Sequence, residues 1–196
     1  LTAEFLAGLA FWAMLPWALK MPIGHLVDLF WKIKSGFVYL GALMIAASLG
    51  IMIMLLGQTD AMLRIASAEV WCITSSLLAP IGYVLQDVVA DAMTVEAVPT
   101  VDRSGKPIDP TLIRSMHTTM QLLGRLAIIV GGILVALLNV NMMEGVAELP
   151  EAEKSLAYLS VYQIGLLIPL SSVIGVLVGS LIQRKNINEL IKSGHT

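Results

Sequence analysis

Long stretches without charge are the feature that most restricts this chain. Residues 37–57 and 158–182 hold no Asp, Glu, Lys or Arg, and residues 116–138 hold only Arg125. Residues 5–19 are also uncharged, and the apolar pattern continues past Lys20 to Val27. About 20 apolar residues in helical form cross the roughly 30 Å hydrocarbon layer of a bilayer. Only helices and closed barrels satisfy their own backbone in lipid. A further stretch from Val70 to Val98 begins apolar and then carries Asp87, Asp91 and Glu96. The sequence therefore predicts an all-α membrane protein, a bundle of about five transmembrane helices near 3–27, 37–57, 70–98, 115–138 and 158–182. Residues 1–196 read as a single transmembrane domain.

Composition closes off the soluble alternatives. Charged residues make up 13% of the chain, against roughly 25% in an ordinary soluble domain. Mean hydropathy is +0.84. Too little polar material remains to coat a soluble surface, and there is no basic cluster for nucleic acid. The single Cys72 falls inside a span, so no disulfide framework exists. His25 and His117 lack metal-ligand spacing, and no metal or cofactor is expected.

The basic residues are asymmetric. If spans alternate, Lys32, Lys34, Arg103, Lys106, Arg114, Arg184, Lys185 and Lys192 share one side, and only Arg64 and Lys154 lie on the other. The positive-inside rule puts the first set in the cytoplasm, together with the C-terminus. The acidic connection with Glu144, Glu148, Glu151 and Glu153 faces the opposite side. In a bacterium the membrane would be the inner membrane. An outside start with no cleavable signal leads to the expectation that a helix precedes Leu1. The remaining transmembrane helices would come from the same chain or from a partner subunit. Pro99, Gly105, Pro107 and Pro110 mark residues 99–114 as a loop.

Charges within a bilayer are costly, about 2.5–3.5 kcal/mol each at a helix centre. The candidates are Lys20, Asp87, Asp91 and Arg125, with Gln86 beside the acidic pair. Asp87 and Asp91 are four residues apart and so share a helix face. Two carboxylates there need a proton, a cation or a basic partner, and Lys20 and Arg125 are the basic residues at hand. One reading is a polar cavity coupled to a solute and a proton or cation. The other is a set of charges that locks helices together. Gly175 and Gly179 form GxxxG, and Ala42, Ala46 and Gly50 make a small-residue face suited to close packing. Pro16, Pro22, Pro80 and Pro169 fall inside spans, where each removes a backbone hydrogen bond.

Two segments carry a family resemblance. Leu15-Pro16-Trp17-Ala18-Leu19-Lys20-Met21-Pro22-Ile23-Gly24-His25-Leu26-Val27-Asp28 resembles the second helix of the folate–biopterin transporter family of the major facilitator superfamily. The segment from Gln86 and Asp87 through Asp91 to Glu96 resembles that family's fourth helix. Gly24, Asp28, Lys32 and Lys34 partly match the superfamily's loop between helices two and three. Met21 stands where the family usually has Pro, and Leu29 and Trp31 replace the loop's usual Arg and Gly. The resemblance implies that the five spans are helices two to six of a twelve-helix transporter. It also implies secondary active transport of a small, pterin- or folate-like organic solute by alternating access, as a symporter and not an enzyme. Two alternatives remain open: a non-transporting membrane subunit that keeps the transporter fold, and a membrane-embedded Mg-dependent transferase using the D-x-x-x-D carboxylates.

Overall fold

A computed structural model describes residues 2–102 and 105–192. Arg103, one of the basic residues used for orientation, lies outside the described residues. The described residues are almost entirely helical, and their only extended pairing is a bridge between Val101 and Pro107. Eight α-helices follow in order: α1 Ala3–Ala18, α2 Lys20–Leu29, α3 Lys34–Gly57, α4 Thr59–Leu63, α5 Ala68–Glu96, α6 Pro110–Met143, α7 Glu151–Gly165 and α8 Leu167–Lys192. They build five segments long and apolar enough to cross a membrane: Ala3–Leu29, Lys34–Gly57, Ala68–Glu96, Pro110–Glu148 and Glu153–Ile182.

Two of these segments are interrupted, and the same chemistry accounts for both. Pro22 has no N–H to give the carbonyl four residues back, and its ring crowds the preceding turn. The helix stops at Ala18, Leu19 leaves helical geometry with its N–H on the Pro16 carbonyl at 3.0 Å, and α2 restarts at Lys20. Pro22 then occupies the first turn of the new helix, where a missing donor costs nothing. Pro169 does the same for the fifth segment, with the interruption at Leu166. Through Pro80, by contrast, α5 runs unbroken. That helix packs against α1, α2 and α3, and those contacts outweigh a single lost bond. The sequence reading of 99–114 as loop is corrected at its end. Asp109 caps α6, accepting the Thr111 N–H at 2.7 Å, and Pro110 fills the first helical position, so the helix starts five residues before 115. The Thr111 hydroxyl and backbone hold the Asp109 carboxyl below the usual carboxylate range.

The packing order can be read from residue pairs. Between α3 and α5, Ser48 meets Ser75, Gly41 meets Gly82 and Val38 meets Gln86. As one number falls the other rises, so the helices are antiparallel. Between α1–α2 and α5, Trp17 meets Tyr83, Lys20 meets Asp87 and Gly24 meets Val88. Both numbers rise together, so the first and third segments are parallel. This is the alternation on which the orientation argument depends.

The tightest point is the α3–α5 crossing. A Cβ on Gly82 would lie 2.5 Å from the Gly41 carbonyl oxygen, and one on Gly41 would lie 2.6 Å from that of Gly82. The small-residue face of α3 is thus Gly41, Ala42 and Ser48 together with Ile45. Ala46 is half-buried, and Gly50 borders open space. Gly175 and Gly179 also border open space, so the GxxxG of α8 makes no close contact among the described residues. Val27, Val38, Val84, Val88 and Val89 form the buried cluster, with Val176 of α8 packed on it.

Two turns away, the buried Ser48 hydroxyl donates to the Ser75 carbonyl at 2.8 Å and meets the Ser75 hydroxyl at 2.8 Å. Interhelical hydrogen bonds in bilayers average about 0.6 kcal/mol and reach about 1.7. Ser48→Ala is therefore expected to lower stability by about 0.6 kcal/mol in reversible unfolding in mixed micelles. A loss beyond about 2 kcal/mol would show that this contact does more than hydrogen-bond.

The outer surface is apolar. Leu43, Leu134 and Leu181 are each more than 60% exposed, and every long helix carries further exposed large apolar side chains. Such an expanse exceeds what a soluble monomer shows to water and fits contact with acyl chains.

Candidate functional site

The interruption at Leu19 places Lys20 at the first position of α2, facing α5. Asp87 and Asp91 stand one turn apart on the opposing helix. The Lys20 ammonium donates to Asp87 Oδ2 at 2.6 Å and to Asp91 Oδ2 at 3.0 Å. One cation thus bridges both carboxylates. The three side chains differ in exposure: 19% for Asp87, 38% for Lys20 and 69% for Asp91.

Depth follows from helix geometry. At 1.5 Å per residue, Asp87 lies about 14 Å from the C-terminal end of α5 and Asp91 about 8 Å from it. With α5 centred in a hydrocarbon layer about 30 Å thick, Asp87 lies within the layer, Asp91 near its edge and Glu96 outside it. The exposures agree in part: Asp87, the deepest, is the least exposed, while Asp91 and Glu96 are both well exposed.

An open groove of about 430 Å³ lies beside the bridge, bounded by Lys20, Gly24, Asp28, Val88 and Asp91 among others. A second hollow, lined by Asp28, Ala92, Val95 and Glu96, continues it toward the C-terminal end of α5. There the Lys34 ammonium pairs with Glu96 and joins the start of α3 to the end of α5. The loop motif is split accordingly. Gly24 and Asp28 line the groove, Lys34 pairs with Glu96 at its end, and Lys32 is exposed in the short 3-10 helix Trp31–Ile33.

Gln86 serves a neighbouring role. It donates to the Val38 carbonyl at 3.0 Å and accepts from the Ser172 hydroxyl at 3.2 Å, so it ties α3, α5 and α8 together. One turn before the bridge, Trp17 and Tyr83 make a tilted ring contact, 5.4 Å between centres and 52° between planes. Among the described residues no group of three His, Cys, Asp or Glu side chains is placed to hold a metal ion.

Arg125 is not part of this constellation. It lies on α6, is exposed, and has no ion-pair partner among the described residues. The expectation that it converges with Lys20, Asp87 and Asp91 is corrected here, because α6 meets α5 only sparsely. The Lys34–Glu96 pair and the Gln86 link were not read from the sequence. Their partners lie 62 and 48 residues away, and nothing local marks them.

No family model, no curated protein and no solved structure matches this chain.

Proposed function

We propose that the chain is most of one half of a secondary active transporter that moves a small organic solute by alternating access, with Lys20, Asp87 and Asp91 as its coupling group. The observation that carries this reading is the bridge itself: one ammonium shared by two carboxylates, at a break in a membrane-length helix and beside an open groove. Like charges one turn apart resist joint ionisation unless a cation lies between them. A proton arriving at either carboxylate weakens one arm of the bridge and leaves Lys20 held by the other. The interruption at Leu19 allows α2 to shift relative to α1 without breaking a continuous hydrogen-bond ladder. Proton arrival and helix movement are thereby linked, which is what a symporter requires.

The motif resemblance around Lys20 and Asp87–Glu96 supports a pterin- or folate-like solute and a place as helices two to six of a major facilitator transporter. The positive-inside rule supports a cytoplasmic location for Lys32, Lys34 and the C-terminus. The transferase reading is weaker because the cation between Asp87 and Asp91 is the protein's own ammonium.

The test uses the full-length protein in proteoliposomes and a panel of labelled pterins, folates and other small organic solutes. Asp87→Asn and Asp91→Asn are each expected to abolish uptake driven by a pH gradient while sparing counterflow exchange. Unchanged gradient-driven uptake in both variants removes the coupling role. Absence of uptake of every solute by well-folded protein favours a non-transporting subunit.

A further inference from the structure

The fourth membrane-length segment has a polarity that its position in the bundle does not use. Every residue of α6 from Thr118 to Asn141 is exposed. A helix facing lipid on all sides should be apolar on all sides, yet this one is not. At 3.6 residues per turn, Arg114, Thr118, Gln121, Arg125, Gly132 and Asn139 fall within about 40° of one line along the helix, with Ile129 and Ala136 between them. The opposite face carries Met116, Met120, Leu123, Val130, Leu134 and Leu138. Gly132 borders open space, and the Thr118 hydroxyl is turned back onto its own helix at the Arg114 carbonyl. With α6 centred in the layer, as for α5, Arg125 lies about 22 Å along a helix about 51 Å long and so close to the layer's middle. An arginine left there against acyl chains is disfavoured by about 2.5–3.5 kcal/mol on insertion scales, and by more in other estimates.

We propose that this stripe of α6 is a docking surface for a transmembrane helix of a partner polypeptide that places a carboxylate level with Arg125. Charge selects the occupant. A second copy of the chain docking α6 against α6 in parallel would set Arg125 against Arg125. The chain's own membrane-depth carboxylate, Asp87, is already bridged by Lys20. Gly132 gives the partner room for close approach beyond the ion pair, and Gln121 and Asn139 offer hydrogen bonds on either side of it. The remaining helices of the proposed transporter are the competing occupant, so loss of the Asp preference in the full-length protein, with Arg125 already covered there, overturns the proposal.

The test reconstitutes the chain, labelled at Ser35→Cys in a Cys72→Ala background, in bilayers with synthetic 21-residue Leu/Ala helices. These helices carry a single central Asp, Asn, Lys or Leu, and association is read by energy transfer. The Asp helix is expected to bind at least about tenfold more tightly than the Leu helix. Arg125→Leu should erase that preference, and Arg125→Glu should transfer it to the Lys helix. Equal binding of all four helices overturns the proposal, as does an Asp preference that survives Arg125→Leu. Energy transfer between copies of the chain that is lost in Arg125→Leu would also overturn it, by making a second copy the occupant. So would labelling of Gln121→Cys by a membrane-impermeant thiol reagent in the native membrane, since the stripe would then face water.

Discussion

Lys20→Met is expected to destabilise the folded chain by about 1–3 kcal/mol, an estimate that rests on removing one member of a partly buried charge pair. Removing one partner of a fully buried pair typically costs about 3–5 kcal/mol, because the other charge stays buried without compensation. Here the effect is smaller. Lys20 is 38% exposed and Asp91 69%, so water screens part of the interaction, and Asp91 contributes little of the loss. Most of it comes from Asp87, which is 19% exposed and lies within the apolar layer. The control is the double variant Lys20→Met/Asp87→Asn. With the stranded charge gone, it should recover to within about 1 kcal/mol of the original chain, since replacing both partners is far milder than orphaning one. Equilibrium unfolding in mixed micelles measures both. Equal stability of Lys20→Met and the original chain would mean that Asp87 is hydrated without its lysine. Failure of the double variant to recover would mean that Lys20 acts through something other than the two carboxylates.

Gly82→Leu is expected to prevent native packing of α3 on α5, and Gly82→Ala to cost about 2–3 kcal/mol, at the upper end of overpacking effects. The reason is the identity of the obstructing atom. A flexible side chain can swing away, but the Gly41 carbonyl 2.5 Å from the new Cβ belongs to a helix backbone. The helices must separate, and the Ser48–Ser75 and Gln86–Val38 hydrogen bonds lengthen with them. Gly41→Ala meets the reciprocal obstruction, so the double variant should lose less than the sum of the singles. Gly175→Ala provides the contrast. Its new methyl meets open space, and the change should be neutral or stabilising by up to about 1 kcal/mol through helix propensity alone. Thermal unfolding of the purified chain ranks these variants. A Gly82→Ala variant as stable as Gly175→Ala would show that the crossing is looser than the backbone approach implies.

What the sequence disclosed, and what it withheld, follows from the range of the forces involved. The spans were legible because burial in lipid acts on every residue of a run, so residues 37–57 declare themselves without reference to any other segment. The acidic face of Asp87 and Asp91 was legible for a similar reason, since a four-residue spacing fixes a shared helix side. That Lys20 and not Arg125 would answer it was not. Both are lone charges in apolar runs, and sequence carries no order of packing around a bundle. Pro22 and Pro169 announced a local weakness, but whether the helix breaks depends on what holds it. Pro80 has the same missing donor and sits in an unbroken helix. Small-residue spacing was the least reliable guide. It pointed to Ala42, which is buried, but also to Ala46, Gly50, Gly175 and Gly179, whereas the close approach uses a single glycine on each helix, Gly41 and Gly82. A crossing needs one gap per helix, and one glycine leaves no periodic trace.

The account rests on the charged groove being an aqueous recess within the membrane, open toward the end of the bundle that carries Lys34 and Glu96. Side-specific cysteine labelling tests this directly. In a Cys72→Ala background, Ala92→Cys lines the groove, while Ser35→Cys and Glu148→Cys report the two ends of the bundle. In sealed vesicles of known orientation, an impermeant thiol reagent should label position 92 from the side that labels position 35, and not from the side that labels position 148. Labelling of position 92 only from the side of position 148, or from neither side, would contradict the account.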